Sequence, residues 1–209
     1  MNDEEEELGQ PIGPIEIEKD RLYFVSDEKT PKSKKTKALY FCIDEVLVYE
    51  AFFQDFGPLN LAMTHKFVQE VKKIMQKQKN KIYHYTSLKR KKQANSVYLM
   101  GAYLVICKGL SPDEAWDYFK DANLKPFRDA IAGPCSYECT VLDCLRGLKY
   151  AMDLGWYVPD KFNVKEYEEY EKVDNGDMNW IIPNKFLAFS SPSSKEVDEE
   201  GYRTFTPND

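Results

Sequence analysis

Residues 97–107 constrain the fold of this chain most, because they are apolar on almost every side of a helix. The helical pattern begins near Gln93, and a helix without a polar face is stable only when protein surrounds it. Gly101 lies in its middle, where the missing side chain permits a close approach of another backbone. The sequence therefore predicts a buried helix over about residues 93–107.

Strand and helix patterns alternate around this buried helix. Short apolar runs bounded by polar residues and prolines predict strands at residues 21–25, 38–42, 81–85, 179–182 and 185–189. Amphipathic or capped segments predict helices that begin after Phe56-Gly57-Pro58, at the capping box of Ser111 and Glu114, at Val141 and at Asn163. The alternation predicts an α/β fold with a central, mostly parallel sheet flanked by helices.

The length of 209 residues suits one domain of moderate size. Residues 1–13 are acidic and then rich in Pro and Gly, which predicts a disordered tail, and residues 14–190 are predicted to form the domain. Residues 191–209 turn to Ser, Pro, Glu and Asp and predict a linker or tail. The lysine-rich residues 30–37 predict an exposed loop between two strands.

Composition argues against several classes of function. A net charge of −6 disfavours nucleic acid as the main partner. No apolar run approaches the roughly 20 residues of a membrane span, and no secretory signal is visible, so we expect a cytoplasmic or nuclear protein. The cysteines are Cys42, Cys107, Cys135, Cys139 and Cys144, without a CxxC pair, and the only histidines are His65 and His84. We therefore expect free thiols, no metal and no cofactor.

A strand, a polar loop and a buried helix follow one another over residues 81–107, which is the layout of a phosphate-binding site. Cysteine-dependent phosphatases place His-Cys at the strand end and Arg six residues after the Cys. The thiolate attacks phosphorus, and the guanidinium holds the phosphoryl oxygens. Here His84 is in place, but Tyr85 takes the nucleophile position and Lys91 the arginine position. A phenol with a pKa of about 10 cannot replace the thiolate. We therefore interpret this segment as a degenerate phosphate loop.

No other residue offers the missing chemistry. Cys135 lacks an Arg at the required spacing, and no Ser-His-Asp order can be assigned with two histidines. The basic residues 89–92 fit either an ordinary solvated turn or a loop with residual anion binding, and His84 fits a structural role. We therefore expect the chain alone to be catalytically inactive.

Several short segments between residues 20 and 190 occur in the order that is typical of one known protein family. They are Asp20-Arg-Leu-Tyr-Phe24, Asp55-Phe-Gly-Pro-Leu-Asn-Leu61, Pro126-Phe-Arg-Asp-Ala130, Leu142-Asp-Cys144, Glu166-Tyr-Glu-Glu-Tyr-Glu-Lys172, Asn179-Trp-Ile181 and Phe186-Leu-Ala-Phe189. In these segments the chain resembles the N-terminal domain of the cell-division-cycle-fourteen family of dual-specificity protein phosphatases.

The resemblance implies two tandem phosphatase-like domains, of which the second carries the His-Cys-x5-Arg loop and the general acid. The first, which this chain resembles, has no catalytic residues, packs on the second and helps to form an acidic groove. It implies a substrate-recognition role in mitotic exit, phosphoprotein partners with Ser-Pro-x-Lys/Arg, and a place in the nucleus, nucleolus, spindle or centrosome. The alternative is a stand-alone pseudophosphatase that acts as an interaction or scaffold module. Whether the chain is a fragment or a short family member stays open.

The resemblance assigns the acidic groove to Asp129, Glu168 and Glu171, with Glu16 as a more distant candidate. Glu168 and Glu171 are three residues apart, so a helix places them on one face. Clustered carboxylates attract a Lys or Arg side chain.

Two structural interpretations compete with this groove. One is an acidic solvated helix face, in which Lys172 pairs with Glu168 four residues before it. The other is an ion pair between Arg128 and Asp129 that serves the fold alone.

Overall fold

The structure is a computed structural model that describes residues 7–29, 37–199 and 201–208. The chain divides into two compact units, residues 1–150 and 151–209. The predicted loop at residues 30–37 lies outside the described residues except for Lys37, as do residues 1–6 of the predicted tail. The predicted boundaries at residues 14 and 190 remain predictions.

A four-stranded sheet forms the centre of the first unit, counted over the described residues. Its strands are β1 (Ile12–Glu18), β2 (Leu22–Ser26), β3 (Leu39–Cys42) and β4 (Ile82–Thr86). Their order is β1-β2-β4-β3, with β4 parallel to both neighbours and β1 antiparallel to β2. The predicted α/β fold with a mostly parallel central sheet is confirmed.

Strand β1 was not predicted from the sequence. Its buried residues Ile12 and Ile17 are separated by Gly13 and Pro14 and by register shifts, which hide the alternation that a strand normally shows. The described part of the predicted tail is hydrogen-bonded as well, because the Gly9 amide donates to the Leu88 carbonyl at 2.7 Å. Gly9 and Ile12 thus take part in backbone pairing, which composition alone does not predict.

The helices that begin in the first unit, over the described residues, are α1 (Leu61–Lys77), α2 (Arg90–Lys108), α3 (Pro112–Asp117) and α4 (Val141–Asp153). The last three residues of α4 fall beyond the division at residue 150. The reciprocal capping box of Ser111 and Glu114 is present at α3. α3 ends at Asp117. The buried stretch of α2 runs from Gln93 to Val105, so the predicted buried helix is confirmed.

Gly101 in α2 marks a close approach, but the neighbour is a side chain and not a backbone. A Cβ atom at Gly101 would lie 2.7 Å from Cδ1 of Leu145 in α4. The glycine thus lets Leu145, which is fully buried, pack directly on α2.

A small antiparallel hairpin of β5 (Phe127–Arg128) and β6 (Glu138–Cys139) leads into α4. The second unit holds α5 (Val164–Tyr170) and a separate antiparallel hairpin of β7 (Asn179–Ile182) and β8 (Phe186–Ala188). Short 3-10 turns lie at Pro159–Lys161 and Val173–Asn175. Across the described ranges, no helix is both long and apolar enough to cross a membrane.

Candidate functional site

The predicted phosphate loop is shorter than the sequence suggested. Strand β4 continues to Thr86, and α2 begins at Arg90, so only residues 87–89 connect them. Lys91 therefore lies in the first turn of α2 and not in a loop. It lines a cleft in which apolar side chains such as Leu47 and Phe56 predominate. The solvated basic turn that was one interpretation of residues 89–92 is thus largely helical.

His84 is a core residue. Its ring is fully buried and lies 5.0 Å from the ring of Phe41 and 4.9 Å from that of Phe67, measured between centroids. Within the described residues neither ring nitrogen has a hydrogen-bond partner. Burial lowers the pKa of His84 to about 3, so the imidazole is neutral near pH 7. These contacts support the structural role that the sequence favoured for this histidine.

Tyr85, at the position of the missing nucleophile, is 7% exposed and lies within β4. Its hydroxyl donates to the backbone carbonyl of Asp27 at 3.1 Å. The phenol is therefore engaged in the fold and points its oxygen at a backbone acceptor.

Asp44 provides an internal anion at the end of β4. Its Oδ1 accepts from the Thr86 hydroxyl at 2.8 Å, and its Oδ2 accepts from the Ser87 amide at 3.0 Å and the Ser87 hydroxyl at 2.8 Å. The residue is only 6% exposed. A carboxylate of the chain itself therefore uses the donors that this kind of loop offers to a phosphate.

The N-terminal segment uses the next donors along the chain. The Arg90 amide donates to the Glu7 carbonyl at 3.0 Å, and the Arg90 guanidinium pairs with the Glu7 carboxylate. Lys125 lies 3.0 Å from the other carboxylate oxygen of Glu7. The hydrogen bonds from Lys125 and Arg90 lower the pKa of Glu7. The acidic residue Glu7 of the same chain thus contacts the start of α2.

Sequence reasoning missed Asp44 and Glu7. Asp44 stands two residues after β3, whose carboxyl end lies beside that of the parallel strand β4. A polar residue directly after one strand of a parallel pair is the signal that could have predicted this contact. Glu7 gave no comparable signal, because its partners are 83 and 118 residues away.

Asp129 follows β5 and organises the turn of the hairpin. Its Oδ2 accepts from the Ser136 amide at 3.0 Å and from the Ser136 hydroxyl at 2.6 Å. The bond from the hydroxyl is the main cause that lowers the pKa of Asp129. The Arg128 guanidinium lies 3.7 Å from Oδ1 of Asp129. The ion pair that was the structural alternative is therefore present, although its N–O distance is long.

Glu16 lies within β1, whereas the sequence placed it before the first strand. Its Oε1 accepts from the Asp20 amide at 2.8 Å and from the Tyr23 hydroxyl at 2.9 Å. The bond from the Asp20 amide is the main cause that lowers the pKa of Glu16. The carboxylate thus stabilises the turn between β1 and β2.

Glu168 and Glu171 belong to the second unit. Glu168 lies in α5, and Glu171 is its C-cap with helical angles of φ −74° and ψ −7°. Because the backbone stays helical, the three-residue spacing places both carboxylates on one side, as predicted. Lys172 pairs with Glu169 at 2.6 Å, and the charge of Glu168 also contributes to the raised pKa of Lys172, so the solvated acidic face that was the structural alternative keeps its support.

Comparison with known proteins shows to which family the chain belongs. The family described as "Dual specificity protein phosphatase, N-terminal half" matches residues 16–151. The dual specificity protein phosphatase CDC14A of Mus musculus is 45% identical over 207 residues, which are 96% of this chain and 34% of that protein. The chain belongs to this phosphatase family.

Other relatives agree. CDC14A of Homo sapiens is also 45% identical over 207 residues, 96% of this chain and 35% of that protein. The tyrosine-protein phosphatase cdc-14 of Caenorhabditis elegans is 34% identical over 210 residues, 92% of this chain and 30% of that protein. The chain thus spans about a third of the length of these relatives, and the resemblance seen in the sequence is confirmed.

Proposed function

We propose that this chain is the non-catalytic, substrate-recognition half of a dual-specificity protein phosphatase. The observation that carries the proposal is the carboxylate of Asp44, which takes the donors of Thr86 and Ser87 where a phosphate would bind. With Tyr85 at the nucleophile position, the site holds neither a thiolate nor an open anion cradle.

The cysteines support an inactive unit. Burial raises the pKa of Cys42, Cys107 and Cys144, so these thiols stay protonated near pH 7 and do not supply the low-pKa thiolate that attacks phosphorus. Cys135 lies in the loop between β5 and β6, and Cys139 ends β6. Neither stands between a parallel strand and the helix that follows it, which is where a phosphatase nucleophile lies.

Substrate recognition rests on the acidic residues that the family resemblance singled out. Asp129 and Glu16 already hold turns of the fold through backbone amides, which makes them poor candidates for a ligand. Glu168 and Glu171 share one side of α5 and its cap, which supports them as the pair that attracts a basic side chain. The ligand of this proposal is a phosphoprotein segment with Ser-Pro-x-Lys or Ser-Pro-x-Arg.

The second unit also favours a covering partner. Trp180 is 48% exposed, Ile181 55% and Phe186 64%, all on the β7–β8 hairpin. Large apolar side chains exposed on one short hairpin favour a contact with another protein surface. The proposed partner is a catalytic phosphatase domain, which the greater length of the relatives can accommodate; a separate protein that covers the same hairpin is the alternative.

The test is a titration of the purified chain with a Ser-Pro-x-Lys phosphopeptide at low and raised salt, with a phosphatase assay on a generic phosphate ester. We expect no turnover and salt-sensitive binding that weakens several-fold in Glu168→Gln/Glu171→Gln. The control Asp160→Asn/Asp174→Asn makes the same change in net charge outside this pair. Turnover that depends on one cysteine would overturn the non-catalytic role. Equal affinity in the two double variants would overturn the assignment of Glu168 and Glu171.

A further inference from the structure

Two thiols meet where β6 passes into α4 in the first unit. Cys139 ends β6, and Cys144 is the fourth residue of α4. Their Sγ atoms are 3.6 Å apart, and both side chains are half-buried. The proposed function uses neither residue, so their proximity calls for a separate explanation.

The start of α4 explains why the two sulfurs meet. Thr140 caps the helix, because its hydroxyl accepts from the Asp143 amide at 3.2 Å. The Asp143 carboxylate in turn accepts from the Thr140 amide at 2.9 Å and the Thr140 hydroxyl at 2.6 Å. This reciprocal arrangement is a capping box, with Asp in place of Glu at the third helical position.

A capping box is often accompanied by an apolar contact between the residue before the cap and the fourth residue of the helix. In this chain those two positions are Cys139 and Cys144. The local geometry that normally closes an apolar contact therefore holds two thiols against each other. Cys139 and Cys144 flank the segment Thr140-Val-Leu-Asp143, and the cap itself brings their sulfurs close enough for a disulfide bond.

We propose that Cys139 and Cys144 form a reversible disulfide when the protein meets a peroxide. In the first step the Cys139 sulfur attacks the peroxide, an S–O bond forms, the O–O bond breaks and one water leaves. In the second step the Cys144 sulfur attacks the Cys139 sulfenic acid, the S–S bond forms, the S–O bond breaks and a second water leaves. Two thiols supply two electrons to one peroxide, and a small thiol such as dithiothreitol reverses the product.

The roles of the two cysteines follow from their surroundings. Burial and then the neighbouring Cys139 and Asp143 raise the pKa of Cys144, so Cys139 is the thiol that reacts with the peroxide. Cys144, held 3.6 Å away, then attacks the sulfenic acid as its proton leaves with the departing hydroxyl group. Bond formation requires the sulfurs to approach from 3.6 Å to about 2.05 Å. β6 is two residues long and, among the described strands, pairs with β5 alone, so a small shift of the strand can close this gap.

The experiment uses the full chain, reduced and freed of reductant, then treated with hydrogen peroxide at neutral pH. Free thiols are blocked by alkylation, and the peptides are mapped by mass spectrometry without reduction. We expect a dithiothreitol-sensitive link between Cys139 and Cys144 as the main cross-link, and we expect Cys135→Ser to leave it unchanged. In Cys144→Ser, Cys139 should instead be trapped as a sulfenic acid by a 1,3-dione.

The same treatment in concentrated urea is the matched control for the fold. Unfolding removes the cap, so cross-links should then be shared among the five cysteines and the Cys139–Cys144 link should fall several-fold. A dominant link through Cys135 in the folded chain would overturn the proposal. So would oxidation of Cys139 to sulfinic acid without any link, because Cys144 would then have failed to resolve it.

Discussion

The carboxylate of Asp44 accepts a hydrogen bond of 2.8 Å from the hydroxyl of Thr86, the last residue of β4. Asp44 follows β3, so the contact joins the carboxyl ends of two neighbouring parallel strands. In α/β proteins ligands bind at this edge of the sheet. Here the chain satisfies the donors with its own side chain, and the Lys92 ammonium adds a bond to the Asp44 carbonyl.

The first prediction concerns this internal anion. Asp44→Ala leaves the Thr86 hydroxyl and the Ser87 amide without their acceptor, so we expect a loss of about 1–3 kcal/mol in the free energy of unfolding. Urea unfolding followed by far-UV circular dichroism measures the loss. Asp121→Ala, at an exposed carboxylate, serves as the control with little expected change. A loss no larger than the control would contradict the role given to Asp44.

The second prediction concerns the buried ring of His84 and the pH dependence of stability. The folded chain holds the pKa of His84 at about 3, whereas the unfolded chain titrates near the usual value of about 6.5. The unfolded state therefore binds the extra proton first, and stability falls as pH drops below about 6.5. Between pH 6.5 and 5 this linkage costs about 2 kcal/mol.

His84→Leu removes that proton uptake. We expect the loss of unfolding free energy between pH 7 and pH 5 to be about 2 kcal/mol smaller in the variant than in the parent chain. Near pH 7 the variant should be at least as stable, because within the described residues the ring nitrogens have no partners to lose. Urea titrations at the two pH values check both statements. Parallel losses in the two proteins would show that His84 titrates with an ordinary pKa.

The sequence predicted those parts of the fold whose signals are local. The capping box of Ser111 and Glu114 and the continuous apolar run of α2 depend on residues close in the chain, and both are present. β1 was missed because Gly13 and Pro14 interrupt the alternation of apolar and polar residues. The strand forms through its hydrogen bonds with β2, which the local sequence does not reveal. The basic start of α2 was predicted as a loop because Arg90 and Lys92 have partners only in the folded chain.

The candidate site was predictable to a similar extent. His84, Tyr85 and Lys91 could be placed on a strand and a following segment, because the spacing of the family motif is local. That Asp44 uses the donors of this loop could not be predicted from local spacing, since the contact spans 42 residues. The bonds of Asp129 and Glu16 to turn amides also emerged only from the structure. Long-range pairing thus decided which acidic groups serve the fold.

The third prediction compares two helical glycines. A side chain at Gly101 would meet Leu145 at 2.7 Å, whereas nothing lies within 4 Å of a Cβ atom at Gly147 in α4. Gly101→Val should therefore destabilise the chain by about 1–3 kcal/mol through overpacking. Gly147→Ala should stabilise it by up to about 1 kcal/mol through helix propensity. Thermal unfolding of both variants measures the difference, and equal shifts would refute the close packing of α2 on α4.

The fourth prediction concerns Asn95, a buried residue of α2 that holds the turn before α1. Its Oδ1 accepts from the Leu59 amide at 3.1 Å, and its Nδ2 donates to the Phe56 carbonyl at 2.6 Å and to the Lys91 carbonyl at 3.2 Å. Asn95→Asp keeps the shape but replaces the donor by an oxygen that faces two carbonyls. We expect a loss of about 3 kcal/mol or more near neutral pH, because an ionised carboxylate is left buried against acceptors.

Acid should reverse part of this loss, which separates it from a packing defect. Protonation gives the Asn95→Asp variant a hydroxyl donor for the Phe56 carbonyl, so its deficit in unfolding free energy relative to the parent chain should shrink between pH 7 and pH 5. Asn95→Ala is the control, since alanine has no proton to gain and its deficit should stay constant over the same range. Urea unfolding of the three proteins at both pH values is the measurement. A deficit in Asn95→Asp that is independent of pH would mean that the amide does not donate to the carbonyls of Phe56 and Lys91, and that the turn before α1 is held by packing alone.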